Sequence, residues 1–186
     1  SAFAQQDELP AKFDPTQSGK VTAVRQSPQA FDLCWAYSTT ASLEQSLIFS
    51  GLDNASVDLS ESALAWFSTQ SEKQLLEDEQ RYGNNYIMAP VYAAARLTGI
   101  EYEADEPTYL HFPHLNPVSY SQEGICEYEI EMAENCNGER DEIKKKLMEY
   151  GGATSCCYND ADCISKHHKS YYQKDRTEVN HSVTIV

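Results

Sequence analysis

From Cys34 onward the apolar side chains fall at Ala36, Ala41 beside Thr40, Leu43, and Leu47 with Ile48, the spacing of one helical face, and Gly51 follows as a stop. The spacing predicts a helix with Asp32 as its N-cap and Cys34 in its first turn. S-E-S-A-L-A-W-F from Ser60 predicts a second helix start, with Glu61 in the first turn and Leu64, Trp66 and Phe67 as apolar bulk. Met88 to Leu97, closed by Gly99, predicts a third, and Ile143 to Tyr150, ended by Gly151-Gly152, a short amphipathic fourth. Residues 1 to 33, with Pro10, Pro15, Gly19 and Pro28, predict extended, looping chain with short β-type pieces such as Lys20 to Val24. Tyr109 to Ser121 is proline-rich and predicts a crossover between a helical half and a second half. That second half closes on H-S-V-T-I-V (181 to 186), whose alternating, β-branched residues predict a strand. There is no internal repeat and no low-complexity tract.

Composition narrows the partners. With 29 acidic against 14 basic residues the formal charge is −15, so the protein's own field repels nucleic acid and anionic lipid. No apolar run approaches the roughly 20 residues that span a bilayer, and S-A-F-A-Q-Q-D-E-L-P has neither the basic nor the apolar region of a signal peptide and reads as a processed start. Six cysteines without a CxxC pair predict disulfides in an oxidising, secreted or cell-surface compartment. Cys126 and Cys136 bracket one polar loop, and Cys156, Cys157 and Cys163 cluster around another, so two short bridges are expected, with connectivity open. Cys157-x5-Cys163-x3-His167-His168 is too irregular for zinc, and the loop is expected to be disulfide-stapled, with no metal. Asn54-Ala-Ser and Asn180-His-Ser have the form of glycosylation sequons; a glycan on the second would block any site at His181.

Cys34 is the chemically pointed residue. A thiol at a helix N-terminus meets the positive end of the backbone dipole, which favours thiolate, the nucleophilic form. The bland alternative is a buried structural cysteine, a common fate of that residue type. An imidazole partner tips the balance, and it is commonly far away in sequence. Of the five histidines, His111 and His114 lie in the crossover and His167 and His168 in the polar loop. Only His181 opens a strand.

L-P-A-K-F-D (9 to 14), G-K-V-T-A-V-R-Q (19 to 26), C-W-A-Y-S (34 to 38), L-S-E-S (59 to 62), Y-G-N-N-Y-I-M (82 to 88) and H-S-V-T-I-V (181 to 186) occur in the order and spacing of the papain-like cysteine peptidases, which the chain resembles over nearly its whole length. G-N-N-Y-I-M-A-P-V-Y-A-A-A-R and I-K-K-K-L-M-E-Y-G-G resemble most a bacterial, secreted or surface-associated branch. The resemblance implies an α+β fold of two lobes within a single domain, 1–186. Residues of about 25–108 would form a helical lobe, and about 1–24 with 109–186 a β-rich lobe that is incomplete at its C-terminal end. It implies Cys34 as nucleophile and His181, at the roughly 130–150-residue spacing of the family, as its ion-pair partner and general acid/base. It further implies a glutamine side chain lining the oxyanion hole.

Here the sequence departs from the family's pattern. Pro28 occupies the expected glutamine position, and V-R-Q-S-P selects Gln26, with Gln29 the alternative. Asp32 and Leu33 replace small residues, and a carboxylate beside a thiolate opposes its formation unless capping consumes it. Asn84 and Asn85 stand where many relatives carry Gly-Gly; by resemblance Asn85 binds the substrate backbone and Ile87 lines the neighbouring apolar subsite. The family's orienting asparagine has no counterpart up to Val186, so a second chain or a C-terminal segment of the same precursor is expected to supply it. The expected function is peptide-bond hydrolysis of a peptide or protein substrate through a Cys34 thioester, with no cofactor, no nucleic-acid partner and no membrane span. Two rivals are an acyl-transfer enzyme (amidase or ligase) on the same site and a catalytically weak or inert binding or adhesion module.

Overall fold

A computed structural model describes residues 9–25, 33–61, 64, 102–104, 139–173 and 179–186. The expected helix at 88–97, the crossover at 109–121 and the Cys126/Cys136 loop lie outside these residues. Helix α1 spans Cys34–Ser50 and ends on Gly51, whose left-handed backbone (φ 75°) returns its N–H to the carbonyls of Ile48 and Leu47. Its start corrects the sequence expectation. The N-cap is Leu33, not Asp32: the Leu33 carbonyl receives the N–H groups of Ala36 (2.8 Å) and Tyr37 (3.1 Å), and no side chain caps the end. Cys34 is therefore the first helical residue, closest to the positive end of the dipole.

α1 is buried on more than one face, which one apolar stripe would not allow. Trp35 and Ala36 are enclosed, but so are Thr39, Thr40, Glu44 and Gln45. Buried polar groups need partners, and the N-terminal segment supplies them. After a 3-10 turn at Pro15–Ser18 the chain runs along α1, and the β-type piece expected at Lys20 to Val24 forms no ladder. Side chains hold it instead. Thr22 Oγ1 donates to Glu44 Oε2 at 3.0 Å, and the Gln45 amide, in the orientation that satisfies both its ends, reaches Lys20 O at 2.8 Å and Thr22 N at 3.1 Å. Arg25 then pairs with Glu44 (2.5 Å), Glu61 (3.2 Å) and Asp58 (2.7 Å). At the expected second helix start, Glu61 and Leu64 are helical, with Leu64 N–H bonded to Ser60 O at 3.2 Å.

Helix α2, Arg140–Tyr150, begins three residues earlier than its apolar pattern, with Asp141 and Glu142 complementing the dipole in its first turn. Gly151 (φ 82°) and Gly152 then turn the chain tightly against α1: a Cβ on Gly151 would overlap the Phe49 ring, and one on Gly152 would lie 2.9 Å from Gln45 Cβ. The chain continues into β1, Ala153–Cys157, which the sequence pattern did not predict. β1 pairs antiparallel with β4, His181–Ile185, from Ala153 opposite Ile185 to Cys157 opposite His181. A second ladder joins β2, Ile164–Ser165, to β3, Ser170–Tyr171. Helices packed against an antiparallel sheet make this an α+β fold.

The expected staple of the 156–163 loop is also corrected. Cys34, Cys156, Cys157 and Cys163 are all thiols, with no disulfide among them. The β1 ladder commits Cys156 and Cys157 to opposite faces, and the loop is held by Tyr171, whose hydroxyl lies within hydrogen-bonding distance of Tyr158 O (2.9 Å) and Gln173 Oε1 (2.7 Å).

Candidate active site

Two of the residues singled out by sequence sit at the starts of neighbouring elements. Cys34 opens α1 and keeps only 8% of its surface exposed, between enclosed Leu33 and Trp35. His181 opens β4 and is half-buried; that burial lowers its pKa below the ordinary 6.5, holding the imidazole neutral near pH 7 unless an anion faces it.

Ser38 and Ser182 fix α1 to β4. Ser38 is four residues beyond Cys34, one turn along the same helical face, and Ser182 follows His181. Their hydroxyl oxygens are 2.6 Å apart in a buried contact. The Ser38 carbonyl also accepts the hydroxyls of Thr184 (2.8 Å) and Thr154 (3.2 Å), and Ser182 Oγ reaches Ser155 O at 3.3 Å. Alternate strand residues share a face, so Ser182, Thr184 and their cross-strand partners Cys156 and Thr154 all lie against α1. Cys34 and His181 thus head two elements that meet at one hydrogen-bonded helix–strand junction, Cys34 one turn and His181 one residue from its tightest contact.

The thiols of Cys156 and Cys157 belong to this neighbourhood. Burial raises the pKa of both, and the charge of Cys34 raises each further, whereas a hydrogen bond from Ser182 opposes the rise at Cys156. Neither these thiols nor the Ser38–Ser182 contact was singled out from sequence as part of the site. The available signal was that Ser38 lies one turn after the candidate nucleophile and Ser182 directly after the candidate base.

Gln26, its alternative Gln29, Asn85 and Ile87 lie outside the described residues. What the structure does describe is Arg25, the neighbour of Gln26, tied to α1 through Glu44. Among the described residues no three His, Cys, Asp or Glu side chains converge to hold a metal ion, and no helix is long and apolar enough to cross a membrane.

The model of the papain family of cysteine proteases matches residues 9–186. Among solved structures, the clostridial cysteine protease Cwp84 after propeptide cleavage is similar, with a TM-score of 0.67 and 22% identity over 94% of this chain. The matched part is 42% of that protein's chain, so the present sequence spans less than half its length. Comparison with the curated proteins gives no match.

Proposed function

The chain belongs to the papain family of cysteine proteases, and from that premise we propose that it hydrolyses peptide bonds in a peptide or protein substrate through Cys34 and His181. The observation that carries this reading is the α1–β4 junction. A thiol heads a helix, an imidazole heads a strand, and the two elements are locked together by the 2.6 Å Ser38–Ser182 contact one step inside each. The helix dipole favours the Cys34 thiolate, which in turn supplies the anion that draws a proton onto His181 against the pull of burial.

Cys34 Sγ then attacks the scissile carbonyl carbon, and the C–N bond breaks as His181 gives its proton to the leaving amine. Water, losing a proton to His181, opens the resulting thioester and releases the carboxylate product. Gln26, with the Cys34 N–H, is the proposed oxyanion donor; Asn85 and Ile87 are the proposed substrate contacts. All four assignments rest on the sequence resemblance. A secreted or cell-surface location belongs to the same proposal, supported by the likeness to a protease that undergoes propeptide cleavage.

A fluorogenic peptide assay with matched variants tests it. Cys34→Ala abolishes turnover, and His181→Ala lowers kcat by about 10²–10⁴-fold. Iodoacetamide at about pH 5, where an ordinary thiol of pKa about 8.5 is protonated, labels Cys34 in the wild type and far more slowly in His181→Ala. Equal labelling of the two proteins would refute the ion pair and favour a binding module. Transfer to an added amine outrunning hydrolysis would instead assign an acyl-transfer enzyme.

A further inference from the structure

Among the described residues, three thiols that peptide hydrolysis does not need accompany the one it does. Strand β1 ends on Cys156-Cys157, both half-buried, opposite Ser182 and His181. Cys156 lies on the sheet face that packs on α1, directly across the ladder from Ser182, whose oxygen is 2.6 Å from Ser38 Oγ. Ser38 stands one turn from Cys34, and residues so related have Cβ atoms about 5–6 Å apart. Cys157, on the opposite face beside His181, also feels the charge of Cys34, and that of Cys163 beyond it.

We propose that Cys156 and Cys157 form a resolving-thiol site for Cys34, so that an oxidised nucleophile is stored as a reversible disulfide instead of being destroyed. The inference rests on the reading of Cys34 as a reactive thiolate. The oxidant is a hydroperoxide. Cys34 sulfur attacks its terminal oxygen, the O–O bond breaks, and the peroxide leaves as hydroxide or alkoxide carrying both electrons, with Cys34 left as a sulfenic acid. The sulfur of Cys156 or Cys157 then attacks Cys34 sulfur, the S–O bond breaks, and the departing oxygen leaves as water with the proton of the attacking thiol.

The electrostatics time the second step. While Cys34 is an anion, its charge helps keep both neighbours protonated and unreactive. Conversion to the neutral sulfenic acid removes that repulsion just when an attacking thiolate is needed. A dithiol reductant reverses the bond and is itself oxidised.

The test treats the full chain with stoichiometric hydrogen peroxide and maps unreduced peptides by mass spectrometry, with peptidase activity followed before and after dithiothreitol. The expected product links the Cys34 peptide to the Cys156-Cys157 peptide, with a mass lower by two hydrogens, and activity returns on reduction. In the double variant Cys156→Ser/Cys157→Ser, hydrolysis before oxidation persists, but peroxide carries Cys34 to the sulfinic acid and reduction restores nothing. Wild-type protein that gains two oxygens at Cys34 without a crosslink overturns the inference, as does a double variant that recovers like the wild type. If the double variant fails to fold, the wild-type peptide map decides alone. An unoxidised protein that neither hydrolyses peptide nor alkylates at Cys34 near pH 5 defeats the functional reading instead, and this inference with it.

Discussion

Replacing Arg25 by methionine, which keeps most of the side chain's bulk and removes its charge, tests how α1 is held. The Arg25 Nη1 sits 2.5 Å from Glu44 Oε1 and 3.2 Å from Glu61 Oε1, while Nη2 reaches Val57 O at 3.2 Å and Asp58 at 2.7 Å. Only 1% of the Glu44 side chain and 2% of Glu61 is exposed, against 24% of Arg25. Neutral donors remain for both carboxylates: Thr22 (3.0 Å) and Leu59 N–H (2.9 Å) for Glu44, Thr40 (3.0 Å) for Glu61. None of them brings positive charge, and removing one partner of a buried ion pair costs about 3–5 kcal/mol. At roughly 2–4 °C per kcal/mol for a chain of this size, Arg25→Met should melt about 6–20 °C lower near neutral pH.

The sign of the pH dependence follows from Glu44. Burial, the largest influence, raises its pKa above the ordinary 4.5, and Arg25 is among the groups that oppose the rise. Loss of Arg25 lifts it further. A carboxyl whose folded pKa is raised stabilises the fold below its unfolded pKa and loses that contribution as pH climbs through the folded value. The variant's deficit should therefore be largest at neutral pH and shrink as pH falls through the raised Glu44 value towards 4.5. Urea unfolding at about pH 7.5 and about pH 5 measures this without the added ionic strength of a guanidinium salt. Adding Glu44→Gln to Arg25→Met should recover part of the loss at the higher pH. A deficit under about 1 kcal/mol, or one equal at both pH values, would refute the account of a buried, charge-compensated cluster.

Gly151→Ala should cost about 1–2 kcal/mol for a left-handed backbone and a further roughly 1–3 kcal/mol for overlap with the Phe49 ring. Gly51→Ala, with the same backbone demand and open space around it, should cost only the first part in the same urea assay. Ser38→Ala and Ser182→Ala should each leave a buried hydroxyl without its closest partner, at about 1–3 kcal/mol. Their double variant should lose less than the sum, with a coupling of about 0.5 kcal/mol or more; strict additivity would mean that the contact contributes nothing. Burial holds the His181 pKa below 6.5, and under the proposed ion pair NMR of its ring protons should show it titrating higher in the wild type than in Cys34→Ala, where no thiolate opposes that burial. Identical titrations would exclude the ion pair.

Helix α1 was legible because its apolar spacing and the Gly51 stop are local signals, and β4 because H-S-V-T-I-V alternates. Strand β1 was not: A-T-S-C-C carries no apolar alternation, and its conformation comes from pairing with β4, thirty or so positions away in sequence. The N-cap was misassigned because residue type favours Asp32 while the hydrogen bonds begin at the Leu33 carbonyl. Counting cysteines suggested bridges because composition registers numbers and spacing but not faces, and the ladder turns Cys156 and Cys157 apart. Cys34 and His181 stood out from the chain as read. The groups that join their two elements did not, since a serine on a helix and a serine on a strand look like ordinary surface residues until they meet.

That omission bears on how the site is built. Apolar packing tolerates small slides, because the touching surface given up on one side is regained on the other, whereas hydrogen bonds weaken steeply with angle and distance. The strand-facing side of α1 is fastened to the sheet by Ser38, whose hydroxyl and carbonyl together engage Ser182, Thr184 and Thr154. On another side, Thr40, Glu44 and Gln45 meet Glu61, Arg25 and Thr22. A helix held by directional bonds on two sides has little freedom to rotate or translate along its axis, and either motion would carry Cys34 away from the start of β4. Enclosing so many polar groups costs desolvation that a greasy helix would avoid. What it provides is a fixed offset between the start of α1 and the start of β4, which the proposed proton transfer between Cys34 and His181 would require.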